Sequence, residues 1–251
     1  MNIELDRIYN MDCLEGMKAI PDGSVDAVIC DLPYGTTENE WDAVIPFEPL
    51  WEQYLRICKP SAAIVLFSQM PFTVDVINSQ RKLFRYEWIW EKEQGSGFMN
   101  ANRMPMKIHE NILLFYRRMP VYNPQREKST IPLVSGERVT VSTSKNYNHL
   151  QERVPWNDDG FRMPKDIIRI PRNKAEGRVH PTQKPVDLLR YLVLTYTNEG
   201  DTVLDNCIGS GTTAVAAMKE KRHFIGFELN KEYFDKACKR IDNESRQLTL
   251  F

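Results

Sequence analysis

Asp201-Thr202-Val203-Leu204-Asp205-Asn206-Cys207-Ile208-Gly209-Ser210-Gly211-Thr212-Thr213 opens on an apolar run, bends at Gly-x-Gly and leads into Ala214-Val215-Ala216-Ala217-Met218, a good helix former. A β-rich run, a glycine turn and a helix in that order open a nucleotide-binding α/β fold, because the glycines let a ligand lie against bare backbone. The third glycine of the dinucleotide fingerprint is absent, as is the lysine of a phosphate-binding P-loop. Both absences argue against NAD and ATP. The next run, His223-Phe224-Ile225-Gly226-Phe227, ends at Glu228. A carboxylate at the end of a second strand can accept both hydroxyls of a ribose. With Asn230 beside it, the corner also reads as a plain helix cap.

The same rhythm runs through the N-terminal third. Residues 7–10 read as a short strand, followed by Asp12, which either caps the helix over Cys13 to Ile20 or meets a ligand. Residues 25–30 and 62–67 are apolar and β-rich, as buried parallel strands are. Between them residues 49–58 have helical spacing, with Leu50, Trp51, Tyr54, Leu55 and Cys58 on one face, and 72–79 form another helix. The alternation predicts an α/β fold with a mostly parallel sheet wound on both faces. Residues 86–92 and 111–116 add two strands, read as an antiparallel pair at the edge, and a helix from Lys231 to Glu244 closes the fold.

Asp31-Leu32-Pro33-Tyr34-Gly35 follows the strand at 25–30, at the carboxyl end where open α/β sheets build their sites. An exocyclic amine on a flat heterocycle is a weak nucleophile because its lone pair is delocalised into the ring. Two acceptors on its hydrogens, the Asp31 carboxylate and the Leu32 carbonyl, favour a pyramidal nitrogen, while Pro33 fixes the turn and Tyr34 stacks on the ring. That is catalysis by positioning and electrostatics. Alone, the stretch reads equally as a strand-to-loop turn. The polar residues 36–42 beside it read as a loop that closes over a substrate.

The 251 residues suffice for one α/β domain with an insertion. No charged-then-apolar leader and no run of eighteen apolar residues is present, so the expectation is a soluble, cytoplasmic protein. The cysteines are odd in number and none are spaced C-x-x-C; with four histidines lacking zinc-site spacing, no metal is expected. The net charge of −1 hides a division: residues 1–80 carry 4 basic and 13 acidic side chains, 81–184 carry 20 and 11, and 185–251 carry 9 and 10. A basic middle between non-basic flanks fits a polyanionic partner, or a solvated charged face. From Arg117 to Arg178 prolines break any long element, and basic residues alternate with Tyr122, Tyr147, Trp156 and Phe161. Phosphate neutralisation plus base contact suits that mixture, as does a variable surface insertion. His180-Pro181-Thr182-Gln183-Lys184-Pro185 introduces a further helix, with Thr182 a candidate N-cap and Thr182 and Lys184 placed to hold a carboxylate.

Together and in this order, the motifs resemble those of the S-adenosylmethionine-dependent DNA amino-methyltransferases (adenine-N6 or cytosine-N4) of the permuted β-class. Asp31-Leu32-Pro33-Tyr34 resembles the catalytic D-P-P-Y, Asp205 to Thr213 resembles the cofactor motif D-P-F-x-G-S-G-T-T, and His180 to Pro185 matches the segment just before it. The resemblance implies a Rossmann-like methyltransferase fold with an antiparallel edge strand, a catalytic half at 1–116, an inserted target-recognition segment at 117–178, a cofactor half at 179–246 and a tail at 247–251. It implies double-stranded DNA as partner and a target base flipped from the duplex. Asp31, Leu32, Pro33 and Tyr34 would be catalytic, with Asp31 also meeting the cofactor. Asp12 would meet the cofactor's adenine and Glu228 its ribose. Asp205, Cys207, Gly209, Gly211 and Thr212 would flank its methionine side, with Thr182 and Lys184 near the carboxylate. Leu32 replaces a proline whose carbonyl is the working atom, and Asn206-Cys207 replaces Pro-Phe, removing an aromatic. Gln247-Leu248-Thr249-Leu250-Phe251 resembles the peptide that docks on the bacterial sliding clamp, with Leu250 and Phe251 as anchors, which implies recruitment of a bacterial or phage-encoded, nucleoid-associated enzyme to replicating DNA; a tail packed on its own domain is the alternative. An Asp opening the tetrapeptide favours adenine over cytosine; methylation of RNA or a small amine, and a catalytically silent DNA-binding relic, are the alternatives.

Overall fold

The computed structural model describes residues 2–35, 42–130, 136–138, 154–156, 158–171 and 183–248. Thr182, the loop at 36–41 and the last three residues of the clamp-like tail lie outside them. The first half runs β1 (Arg7–Asn10), α1 (Cys13–Met17), β2 (Val25–Asp31), α2 (Phe47–Ile57), β3 (Cys58–Ser68), α3 (Phe72–Ser79), β4 (Phe84–Ser96) and β5 (Lys107–Phe115). The short strands β6 (Glu127–Lys128), β7 (Gly136–Arg138), β8 (Val154–Trp156), β9 (Phe161–Arg162) and β10 (Ile167–Ile168) follow. The chain closes with α4 (Val186–Tyr196), β11 (Thr202–Asp205), α5 (Thr212–Lys219), β12 (His223–Glu228) and α6 (Lys231–Leu248). None of the described helices is long and apolar enough to cross a membrane.

Eight strands form one sheet in the order β1-β12-β11-β2-β3-β5-β4-β10. Every pairing is parallel except those of β5 with β3 and with β4. The reversed strand therefore lies inside the sheet, not at its edge. The long β4 and β5 pair side by side and the two-residue β10 seals β4 from outside, with Ile168 beside Trp90. Strand period decides which residues meet which layer. Val28, Cys30, Ile64, Leu66, Leu113 and Phe115 face the layer of α1, α2 and α3, where Met17, Leu50, Tyr54 and Phe72 are buried. Ile29, Val65, Phe67, Ile112 and Leu114 face α4, packing on Leu188, Leu192 and Tyr196.

Some boundaries differ from the sequence pattern. Helix α2 stops at Ile57, because Pro60 follows and β3 begins at Cys58. Gln53 and Ile57 are buried, whereas the expected Leu55 is only partly covered. Pro185 is the N-cap of α4 and makes no side-chain cap bond. Helix α6 extends to Leu248, so Gln247 and Leu248 continue it rather than starting an extended tail.

The described chain divides into a large unit, 1–123 with 166–251, and a small one, 124–165. The small unit is narrower than the expected 117–178. Arg117 donates to the Cys58 carbonyl at 2.5 Å and Asn123 N to the Thr195 carbonyl at 2.8 Å, fastening that stretch to the large unit. Within the small unit β6 pairs with β9 and β7 with β8, both antiparallel. Arg126 and Asp159 form an ion pair there at 2.6 Å.

Candidate active site

The chain order reverses between β2 and β11: from β2 the sheet grows one way through β3, and from β11 the other way through β12. A crevice forms beyond the strand ends at such a point. Val203 lies beside Ala27, Asp205 beside Gly226 and Asn10 beside Glu228. This register sets Asp31, Asp205 and Glu228 as the last residues of three adjacent strands, with Asp12 two residues past β1. All four line one cavity of about 760 Å³, together with Leu32, Pro33, Tyr34, Lys184, Cys207, Gly209 and Thr212. That volume falls in the upper part of the roughly 300–1,000 Å³ range of small-molecule sites.

On the β2 side, Tyr34 donates its hydroxyl to Asp31 Oδ1 at 2.7 Å and its ring packs on Phe72 at 5.2 Å. Asp42 Oδ1 accepts from the amides of Tyr34 and Gly35 at 2.9 and 3.1 Å, closing the turn after the strand. Lys184, 8 % exposed, donates to Asp31 Oδ2 at 2.5 Å. The same ammonium lies 3.2 Å from Glu110 Oε2 and 5.1 Å from the centre of the Phe67 ring. Lys92 pairs with the other oxygen of Glu110 at 3.2 Å. Two carboxylates thus face two ammonium groups, which is how a protein tolerates buried charge.

Burial lifts the Asp31 carboxyl above its ordinary value, and Lys184 offsets only part of the rise. For Glu110 burial acts the same way, but Lys184 and Lys92 outweigh it and hold the carboxyl low. Burial works against the charge on Lys184 too, yet Asp31 and Glu110 keep its pKa raised. Glu110, Lys92 and Phe67 were not foreseen from sequence. Their only signal is a carboxylate at the head of an apolar strand, which is a cost unless a cation meets it.

The glycine side is built from backbone. Gly209 N donates to Glu228 Oε2 at 2.9 Å and Asn230 N to Oε1 at 2.7 Å, so each carboxylate oxygen is oriented by one amide. Burial raises the Glu228 pKa against these bonds. Asp205 takes the Thr213 hydroxyl at 2.6 Å and the Cys207 amide at 3.1 Å, and burial pushes its carboxyl up to about 6. The Thr212 hydroxyl is engaged by Ser210 and by Arg240 of α6, both at 2.9 Å.

Gly211 was expected against a ligand. It instead caps α5 at φ +77° and faces α6, where an added Cβ would stand 3.3 Å from that of Ala237. Asp12 caps α1 through the amides of Leu14 and Glu15 while also lining the cavity. The pair in place of Pro-Phe is accounted for by its neighbours. Asn206 accepts the Tyr54 hydroxyl at 2.5 Å and turns its amide toward the thiols of Cys13 and Cys207, at 3.7 and 3.4 Å. Among the described residues no group of three or more His, Cys, Asp or Glu is arranged for a metal ion.

Comparison with known proteins gives a consistent picture. The profile of a family described as DNA methylase matches residues 25–239. The DNA adenine methyltransferase YhdJ of Escherichia coli is 30% identical over 259 residues, spanning 95% of this chain and 83% of that one. The type II methyltransferase M1.MboII of Moraxella bovis is 25% identical over 254 residues, spanning 94% and 96%. Among solved structures, the M1.HpyAVI-SAM complex superposes with a TM-score of 0.64 at 25% identity, covering 94% of this chain and 98% of that one.

Proposed function

This chain belongs to the DNA methylase family, and from that membership we propose that it transfers a methyl group from S-adenosylmethionine to the N6 amine of adenine in duplex DNA. The observation that carries the reading is the opening of Asp31 and Tyr34 into the same cavity as Gly209, Asp205 and Glu228. S-adenosylmethionine, when bound, supplies a methyl group made electrophilic by its sulfonium.

The donor set fits that molecule. Glu228 is oriented for the ribose hydroxyls, Asp12 serves the adenine, and Asp205, Cys207, Gly209 and Thr212 flank the methionine moiety, with Lys184, already paired with Asp31 and Glu110, on its carboxylate side. Gly211 contributes by shaping the turn. Asp31 and the Leu32 carbonyl would accept the two N–H bonds of the target amine, leaving its lone pair free to take the methyl group; the S–CH3 bond would break with its electron pair kept by the departing thioether, and the amine's surplus proton would pass by way of Asp31 to solvent. Asp31 already accepts from Tyr34 and Lys184, and a carboxylate has capacity for about four such bonds. Pro33 holds the turn and Tyr34 offers its ring to the base. The amine lies inside a base pair in duplex DNA, so the adenine must swing out to reach the cavity. Unit 124–165, with its basic and aromatic residues, is assigned to reading the target sequence. Adenine is preferred because an aspartate opens the tetrapeptide, and the likeness to YhdJ supports that choice.

Incubation with labelled S-adenosylmethionine and genomic DNA, followed by mapping of modified bases, is expected to give N6-methyladenine at one sequence context. Asp31→Ala is expected to lose transfer by on the order of 10²–10³-fold while keeping DNA affinity. N4-methylcytosine as the product would reassign the base, and undiminished turnover by Asp31→Ala would remove the role given to that residue.

A further inference from the structure

Strands β4 and β5 carry Lys92, Ser96 and Glu110 into the cavity wall and then continue past it. Their last ladder pair is Ser96 with Lys107. Beyond it the chain makes a compact tip. A 3-10 turn at Phe98–Asn100 follows Gly97, and the amides of Asn100, Ala101, Arg103 and Met104 are all satisfied by carbonyls of the tip itself, at 2.8–3.1 Å. At the neck, Gly95 packs so closely that a Cβ there would stand 2.9 Å from the Cβ of Met106. The backbone is thus folded in, while the side chains are turned out. Phe98 is 75% exposed, Met99 86%, Met104 55% and Met106 44%.

Met106 lies over Gly95, whereas Phe98, Met99 and Met104 are left largely in solvent on a self-bonded tip, and the local charge names a partner outside the chain. Residues 94–109 contain no Asp or Glu but do contain Arg103 and Lys107. An apolar knob with a cationic collar suits a nucleic acid, whose phosphates meet the cations while its stacked bases accept an apolar wedge. Phe98 is two residues from the cavity-lining Ser96, so its Cα lies within about 7 Å of that residue's along the chain. We propose that the tip 97–106 is a wedge that enters the base stack beside the target, with Phe98 and Met99 filling the gap left when the adenine swings into the cavity. Burial of these two side chains offsets part of the stacking lost on extrusion. This inference rests on reading the cavity as the site of an extruded base.

The test compares wild type with a Phe98→Ala/Met99→Ala double variant on two DNAs carrying the mapped target, one fully paired and one with an abasic site opposite the target base. The altered side chains are exposed, so thermal unfolding and heats of S-adenosylmethionine binding are expected to be unchanged. On the paired duplex kcat/KM is expected to fall 10–100-fold, and on the pre-opened duplex less than 3-fold. Equal losses on the two DNAs, or no loss on either, would overturn the wedge. Equal losses accompanied by a shift from dimer to monomer in sedimentation would instead make the tip a contact between two copies of the chain. If wild type methylates neither DNA, the reading of the cavity fails first, and the two failures are thereby told apart.

Discussion

Asp205 is 4% exposed, and burial sets its carboxyl at about 6 instead of 3.8. A native pKa above the unfolded value means that the folded protein holds the proton more tightly. The associated stability is fully present below pH 3.8 and is lost as pH rises through 6. At about 1.36 kcal/mol per pH unit, the charged carboxylate costs the ligand-free protein on the order of 3 kcal/mol at neutral pH. Asp205→Asn removes that cost while keeping an acceptor for the Cys207 amide or the Thr213 hydroxyl. The ligand-free variant is expected to melt on the order of 5–10 °C above wild type at pH 8, with the gap closing toward pH 4, while its affinity for S-adenosylmethionine falls. A gap that does not change with pH, measured by thermal unfolding, would show that the carboxylate is not strained by burial. Activity bought with stability is common at such sites.

Helix α5 begins where Gly211 takes φ +77°, a backbone that L side chains rarely adopt. An alanine there costs about 1–2 kcal/mol from the backbone alone, and its methyl would press on Ala237 and Ile241 of α6, at 3.3 and 3.4 Å. Gly209 also has a positive φ, +51°, but a Cβ there would meet only the Cys207 carbonyl at 3.9 Å. Gly211→Ala is therefore expected to lose more stability than Gly209→Ala, and thermal unfolding of the two variants side by side checks the ranking. Equal losses would mean that packing against α6 contributes nothing.

These elements also show how far the sequence could be read. The strand-turn-helix at Asp205 to Met218 and the strand before Asp31 were legible because period and glycine placement are local properties. So was the wound sheet, which needs only their alternation. The interior position of reversed β5 was not, because apolar periodicity is blind to strand direction and β10 comes from far along the chain. Lys184 is read from sequence as a partner of the cofactor's carboxylate, whereas the groups it meets are Asp31, 153 residues away, and Glu110. Glu110 was hidden at the head of an apolar run, and no local rule points from it to Lys92. Gly211 was recognised as a turn residue, but which neighbour forbids a side chain there depends on where α6 packs.

Across the whole molecule, the charge division separates two kinds of binding. Residues 81–184 carry 20 basic and 11 acidic side chains, against 4 and 13 in residues 1–80. Some of these cations are already engaged within the protein: Lys184 by Asp31 and Glu110, Arg169 by Glu91 at 2.9 Å, and Arg126 by Asp159. Exposed ones such as Lys128 and Lys165 are candidates for phosphate contacts. Each phosphate neutralised releases counterions, so log K for duplex DNA falls with log salt at a slope of about −0.9 per contact. The proposed site for S-adenosylmethionine is a cavity that displaces no condensed counterion atmosphere, so the affinity for that small donor should depend far less on salt. Titrations between about 50 and 200 mM salt are expected to weaken DNA binding by at least about 10³-fold if six or more contacts form. Lys128→Ala and Lys165→Ala should each reduce the slope by about 1, uniformly across DNA sequences, and leave donor binding alone. A slope near zero would return the basic middle segment to an ordinary solvated face, and a variant that altered the mapped sequence context without changing the slope would move its lysine from backbone contact to base reading.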